Sequence, residues 1–190
     1  MIETILQWDK ELYLLINSWN SPLLNSVMVV ISGQIIWFPF IIGFLYYGFK
    51  NLDRKSFYLF ALFLALGIYA ADMTSSYLLK NHFLRFRPCK VPELRSIINR
   101  FGQKCGGKYG FVSSHASNSF FLVAFSVFAL ELKSKWKHAL WILPIMVSYS
   151  RLYLGVHYPS DVTGGAIVGI GWAWCLTFYF KHRSWRKSGY

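Results

Sequence analysis

The chain has 190 residues, the size of a single domain, with 55% hydrophobic and 19% aromatic residues but only 15% charged ones. A soluble domain carries about 25% charged residues, so this balance excludes an ordinary water-soluble protein and points to lipid as the solvent. The formal charge of +12 sits in short loops between long apolar runs, which argues for the bilayer and an anionic lipid as partners and against nucleic acid.

Residues 2–18 read as an amphipathic helix suited to the membrane interface, with Ile2, Ile5, Leu6, Leu12, Leu14 and Leu15 around a charged patch. Glu3, Asp9, Lys10 and Glu11 interrupt the stretch, so no cleavable leader is expected. Residues 22–49 are apolar but broken around Gly33-Gln34, as one long tilted helix or a short pair. A spanning helix needs roughly 20 apolar residues. Residues 56–79 qualify, 116–130 and 139–154 are shorter, and 162–180 is the cleanest run. The expected fold is an all-α integral membrane bundle of five or six crossings, one domain over 1–190 with no internal repeat. Asp72 lies inside the span 56–79, where a carboxylate is costly. It either serves a headgroup cavity or bonds a neighbouring helix. Cys175, alone in an apolar run, is a small buried residue.

If four helices separate them, the loops 50–55 and 133–138 and the tail 181–187 share one side. Together they hold ten Lys or Arg, which suggests the cytoplasm. The opposite, outer side then receives the loop 80–115 and the turn 155–161. That loop carries eight Lys or Arg against one acid, Glu93, an excess that calls for an anionic ligand.

Three clusters meet on this outer side. Lys80 and Arg87 lie seven apart, about two turns if the helix continues, and project the same way; basic residues at helix ends also simply snorkel to headgroups. Next, Ser113, Ser114 and His115 open the following span, whose free N–H groups make an anion site beside a proton-carrying imidazole. A plain capping box is the simpler reading of that stretch alone. In the third cluster, 150–161, Pro159 suits the first turn of the last helix. Arg151 offers a planar fork for phosphate oxygens. Asp161 follows His157 by four residues, close enough to hold one ring nitrogen and leave the other free to attack.

Taken together these residues form a phosphate-transfer set. His157 attacks phosphorus with Asp161 orienting it, giving a phosphohistidine, and His115 protonates the departing oxygen. Lys80, Arg87 and Arg151 bind the phosphoryl oxygens. Arg85, in the variable part of the first cluster, is a candidate headgroup contact.

The clusters resemble the three signatures of the type 2 phosphatidic acid phosphatase family, K-x6-R-P, P-S-G-H and S-R-x5-H-x3-D. The first is matched by Lys80, Arg87 and Pro88, and the third by Ser150, Arg151, His157 and Asp161. In the second, Ser113 and His115 match, while Val112 and Ser114 stand in place of Pro and Gly. That leaves the loop geometry open, since serine adopts a glycine-only conformation at a cost. The resemblance implies a metal-independent, cofactor-free lipid phosphatase of six membrane helices, and adds Ser113, with Ser114 beside it, and Arg151 as phosphate ligands.

Cys89 and Cys105 share the outer loop, where a bacterial periplasm permits oxidation. A bridge between them closes fifteen residues, worth ~3 kcal/mol in the loop-entropy model, and brings Lys90, Arg95, Arg100 and Lys104 towards the site. A metal-dependent hydrolase is disfavoured, because the Lys and Arg would repel a cation. A phospholipid transporter or binding protein gives no role to the His157–Asp161 spacing. Among substrates, the basic loop favours lipid A or undecaprenyl diphosphate over phosphatidylglycerol phosphate and phosphatidic acid. The expected location is a bacterial inner membrane, with the catalytic face towards the periplasm.

Overall fold

The structure, a computed structural model, describes residues 2–19, 21–101, 104–133 and 135–185, so Arg186 and Lys187 of the basic tail lie outside it. Helix α1 (Ile2–Ser18) is followed by α2 (Pro22–Ser32), which starts on a Ser21 cap with Pro22 in its first turn. The apolar stretch 22–49 is divided: α2 stops at Gly33, a short 3-10 turn covers Gln34–Trp37, and α3 (Phe38–Asn51) follows. Asp53 then caps α4 (Arg54–Met73) by accepting from the backbone of Lys55 and Ser56.

A π-helical turn, Thr74–Leu79, carries α4 into the short α5 (Lys80–Phe83). The chain leaves the helix at Leu84, with φ 50°. The helix therefore does not continue from Lys80 to Arg87, contrary to the two-turn expectation. Arg87 precedes Pro88, whose ring drives the preceding residue out of the α region, and it is extended at φ −66°, ψ 151°. The loop after α5 holds α6 (Pro92–Arg95), an isolated bridge between Phe86 and Tyr109, and the bonded pair Cys89–Cys105, Cα atoms 6.0 Å apart. Ser113 caps α7 (Ser114–Ala129); α8 (Ile142–Tyr153) and α9 (Pro159–Trp185) complete the bundle. Among the described residues there is no sheet.

Two helical stretches, Arg54–Phe83 and Pro159–Ser184, are long and apolar enough to cross a membrane; Leu6–Ser18 and Pro22–Ser32, meeting at 119°, make a third if taken as one span. Only two or three of the five or six expected crossings are this long, since α3, α7 and α8 have 14, 16 and 12 residues. For α7 the reason is burial: Phe121, Leu122, Val123, Ala124 and Phe125 are all fully enclosed, so protein rather than lipid surrounds it.

The bundle has two chemically distinct ends. At one, Lys181 bonds Glu131 at 2.6 Å, and Asn51, Asp53, Lys133 and Lys181 border a common cavity, as the parity of the basic loops predicts. At the other, Lys80, Arg87, His115, Arg151 and His157 come together. Segments α3, α4 with α5, α7, α8 and α9 run between the ends. Helix α1 instead stays at the second end, where Asp9 binds Ser160 and Asn17 binds the carbonyls of Asn99 and Tyr153.

Phe60, Phe121, Phe125 and Phe180 pack the centre against one another. Nearer the second end, Gly165 and Gly169 let α9 touch α7. A Cβ on Gly165 would stand 2.5 Å from the Ser113 carbonyl, and one on Gly169 2.2 Å from that of Ser117. Small residues four apart on one face give this close approach. It seats the two helix starts together, and the Ser113 N–H donates to the Asp161 carbonyl at 2.9 Å. Gly169→Ala is therefore expected to cost about 1–3 kcal/mol by overpacking, seen as a lower Tm in detergent. Gly171→Ala, which meets nothing within 4 Å, is expected to leave Tm in place.

Candidate active site

The turn between α8 and α9 passes through Gly155 at φ 72°, a left-handed conformation that suits glycine, and delivers His157 just before α9 begins. His157 is 1% exposed. Its Nδ1 lies 3.2 Å from Asp161 Oδ2, and its Nε2 lies 3.3 Å from a terminal nitrogen of Arg87. A guanidinium only donates, so Nε2 must accept, which assigns the ring proton to Nδ1, facing the carboxylate. Burial, then the charges of Arg87, Arg151 and Lys80, hold the His157 pKa well below its usual 6.5. The ring is neutral at physiological pH, with its lone pair on Nε2.

Asp161 is wholly buried and fully engaged. Oδ2 also accepts from the Tyr158 backbone at 3.0 Å, and Oδ1 accepts from Arg85 at 3.0 Å. Arg85 is thus not a headgroup contact. Its guanidinium turns inward to Asp161, Asp9 and Ser160, and lies 4.1 Å from the centre of the Tyr158 ring. Two buried carboxylates outcompete water for a planar cation. Asp9 in turn accepts from the Ser160 backbone at 2.8 Å and its hydroxyl at 2.6 Å, so α1 braces the start of α9.

Lys80, Arg87, Ser114, His115, Arg151 and His157 border one cavity of about 490 Å³. Lys80 donates to the Ser114 hydroxyl at 2.7 Å, and Arg151 bonds Ser32 of α2 while its Nε has no partner among the described residues. His115 stands edge-on to Trp37, ring centres 6.1 Å apart, and its nitrogens have no protein partner among the described residues. Ser113 is not brought to the cavity. It is fully buried, and its hydroxyl caps α7 by accepting from Ala116. Ser114 takes the place of glycine without backbone strain: the non-glycine residues at positive φ among those described are Leu84, Phe101 and Glu131.

Of the four basic residues of the bridged loop, only Lys104 borders the cavity. No group of three His, Cys, Asp or Glu side chains gathers among the described residues to hold a metal. A larger cavity, about 810 Å³, lies at the opposite end against Lys133, Lys137 and Trp141; it is lined by no arginine, and its Glu131 bonds Lys181 and not the nearby His138. Sequence reasoning missed Asp9, Ser32, Trp37, Ser76 and Asn118. Asn118 and Ser76 left a signal, standing one helical turn after Ser114 and after Asp72; the partners of Asp9, Ser32 and Trp37 are far away in the chain.

The pattern of the PAP2 superfamily matches residues 54–186. The chain is 34% identical over 188 residues to the lipid A 4'-phosphatase of Bacteroides thetaiotaomicron, covering 96% of this chain and 81% of that protein. It is 32% identical over 173 residues to the lipid A 4'-phosphatase of Porphyromonas gingivalis, covering 89% and 71%. The crystal structure of Aquifex aeolicus LpxE has the same fold, with a TM-score of 0.66 at 24% identity over 89% of this chain and 94% of that one.

Removing Arg85 strands two buried carboxylates. Arg85→Ala is expected to cost about 3–5 kcal/mol, measured by thermal unfolding in detergent. Adding Asp9→Asn to that variant is expected to recover part of the loss, because one stranded charge disappears.

Proposed function

Because the chain belongs to the PAP2 superfamily, we propose that it is a membrane lipid phosphatase that removes a phosphate group from lipid A through a phosphohistidine. The observation that carries this reading is the neutral Nε2 of His157, backed by Asp161, at a cavity lined by Lys80, Arg87 and Arg151.

When the lipid phosphate enters, Arg87 exchanges its contact with Nε2 for a phosphoryl oxygen, and Lys80 and Arg151 take others. Nε2 attacks phosphorus, and the bond from phosphorus to the lipid oxygen breaks as the P–N bond forms. Positive charge developing on the ring is stabilised by Asp161 across Nδ1–H. His115, free of protein partners, gives its proton to the departing oxygen. Water then attacks phosphorus and yields a proton to His115; the P–N bond breaks, and inorganic phosphate leaves. The cations stabilise the transferring group throughout, without a metal.

The Bacteroides and Porphyromonas relatives are lipid A 4'-phosphatases, and the surplus of basic residues in the loop 80–115 suits a multiply charged headgroup. The buried cystine at the catalytic end supports an oxidising periplasm on that side. Lys133, Lys137 and Lys181 at the other end support a cytoplasmic side there, in a bacterial inner membrane. Asp9 and Asn17 tie α1 across the catalytic end, as an interfacial helix would lie, and the joint use of α1, α2, α5, α7, α8 and α9 supports one domain.

Detergent-purified protein is expected to release phosphate from lipid A in the presence of chelator. His157→Ala should lower the rate by at least about a thousandfold, since the nucleophile is gone. Release that survives His157→Ala would sink the mechanism. Protonation of His157 abolishes attack, and its pKa lies below 6.5. The acidic limb of kcat/KM should therefore fall below pH 6.5, with full activity kept as pH drops through that value.

A further inference from the structure

One wall of the catalytic cavity carries hydrogen-bonding groups that phosphoryl transfer does not use. Asp72 Oδ1 accepts from the Asn118 amide at 3.2 Å and from the Ser76 hydroxyl at 3.4 Å. Ser76 bonds Ser114 at 2.8 Å, and Ser114 accepts from Lys80. A polar chain thus leads from the phosphate-binding lysine into the bundle. Asp72, Ser76 and Lys80 are spaced by four, and the π-helical turn Thr74–Leu79 lies between the outer two. Its wider turn keeps them on one face, where an α-helix would let them drift round. Asn118 stands one turn, about 6 Å, below Ser114 on α7.

This wall is not saturated. Asn118 Oδ1 and Trp37 Nε1 are buried without a partner among the described residues, and Asp72, half-buried, accepts its two bonds on Oδ1 and none there on Oδ2. Trp37, Phe38, Ile41 and Ile68 border the same cavity. A carboxylate beside hydrocarbon is costly, and a ligand that donates a hydrogen bond to it lowers that cost.

Resting on the lipid phosphatase reading, we infer that Asp72, Asn118 and Trp37 form a subsite for a sugar ring bearing the scissile phosphate. The substrate class is then an acylated glycosyl phosphate, as opposed to a polyprenyl or diacylglycerol phosphate. A pyranose has a rim of hydroxyl and amide donors and acceptors, which suits Asp72 Oδ2, Asn118 Oδ1 and Trp37 Nε1. It also has a flat C–H face for the aromatic rings. The cavity presents cations, then the Asp72–Asn118 wall, then aliphatic side chains. That order matches phosphate, sugar and acyl chain. A polyprenyl phosphate places hydrocarbon directly after the phosphate, and phosphatidic acid offers only ester acceptors there. Neither brings a donor to Asp72 Oδ2.

The test compares kcat/KM for an acylated glucosamine phosphate, phosphatidic acid and undecaprenyl diphosphate in detergent, for wild type, Asp72→Ala, Asp72→Asn and Asn118→Ala. Wild type should prefer the sugar lipid. In Asp72→Ala and Asn118→Ala the preference for sugar over non-sugar substrates should fall, about ten- to a hundredfold for Asp72→Ala, which is the worth of one hydrogen bond to a charged group. Asp72→Asn, which keeps an acceptor and the same shape, should retain most of the preference and guards against a folding defect. Equal losses on all three lipids, or a wild type that prefers a non-sugar lipid, would overturn the subsite and leave the lipid phosphatase reading standing. A folded wild type inactive on every lipid would overturn both.

Discussion

Asp161 is a carboxylate with no exposure at all, and a charge so placed is tolerable only when its lone pairs are used. Here Arg85, the Tyr158 backbone and the His157 ring use them, while the Asp161 carbonyl receives the Ser113 N–H. These contacts join the loop after α5, the turn before α9 and the start of α7. The orientation of His157 is therefore a property of three chain segments, and Asp9 extends the same network to α1 through Arg85 and Ser160. The His157 ring is held by the requirement that a buried charge be paired.

The arginines of the outer loop illustrate the same rule from the other side. Arg85 meets two acids and is spent on structure. Arg87, two residues on, meets only the neutral His157 ring and the Tyr109 carbonyl, and Arg151 meets the Ser32 hydroxyl. Lys80 meets the Ser114 hydroxyl. Three cations thus surround a cavity with neutral partners, an arrangement that a dianionic phosphate would complete. Spacing alone does not separate Arg85 from Arg87. Their difference comes from tertiary contacts: Arg85 meets Asp9 and Asp161, whereas Arg87 meets the Tyr109 carbonyl and the His157 ring.

Close helix contact supplies the frame for this electrostatics. With no Cβ at Gly165 and Gly169, α9 lies directly on the α7 backbone, and its first turn meets the capped start of α7. Placing Ser113 under that cap explains why its hydroxyl is absent from the cavity. Along α4, the π-helical turn serves a comparable purpose by aligning Asp72 with Lys80.

Sequence by itself determined the lipid solvent, the helical class, the grouping of basic loops at the end opposite the histidines, and the roster Lys80, Arg87, His115, Arg151, His157 and Asp161. These were legible because they rest on local quantities: apolar run length, parity along the chain, and an i,i+4 pair across a helix start. Tertiary structure alone decided that Arg85 pairs with Asp9, 76 residues away, that Ser32 meets Arg151 across 119 residues, and that Ser113 caps a helix. It also decided that α7, short already in the sequence, is enclosed by protein and so released from the bilayer thickness that sets a lipid-facing helix. Contacts between distant segments depend on how helices pack, and packing follows from which surfaces lack a Cβ or carry an unpaired charge, which no single stretch of sequence contains.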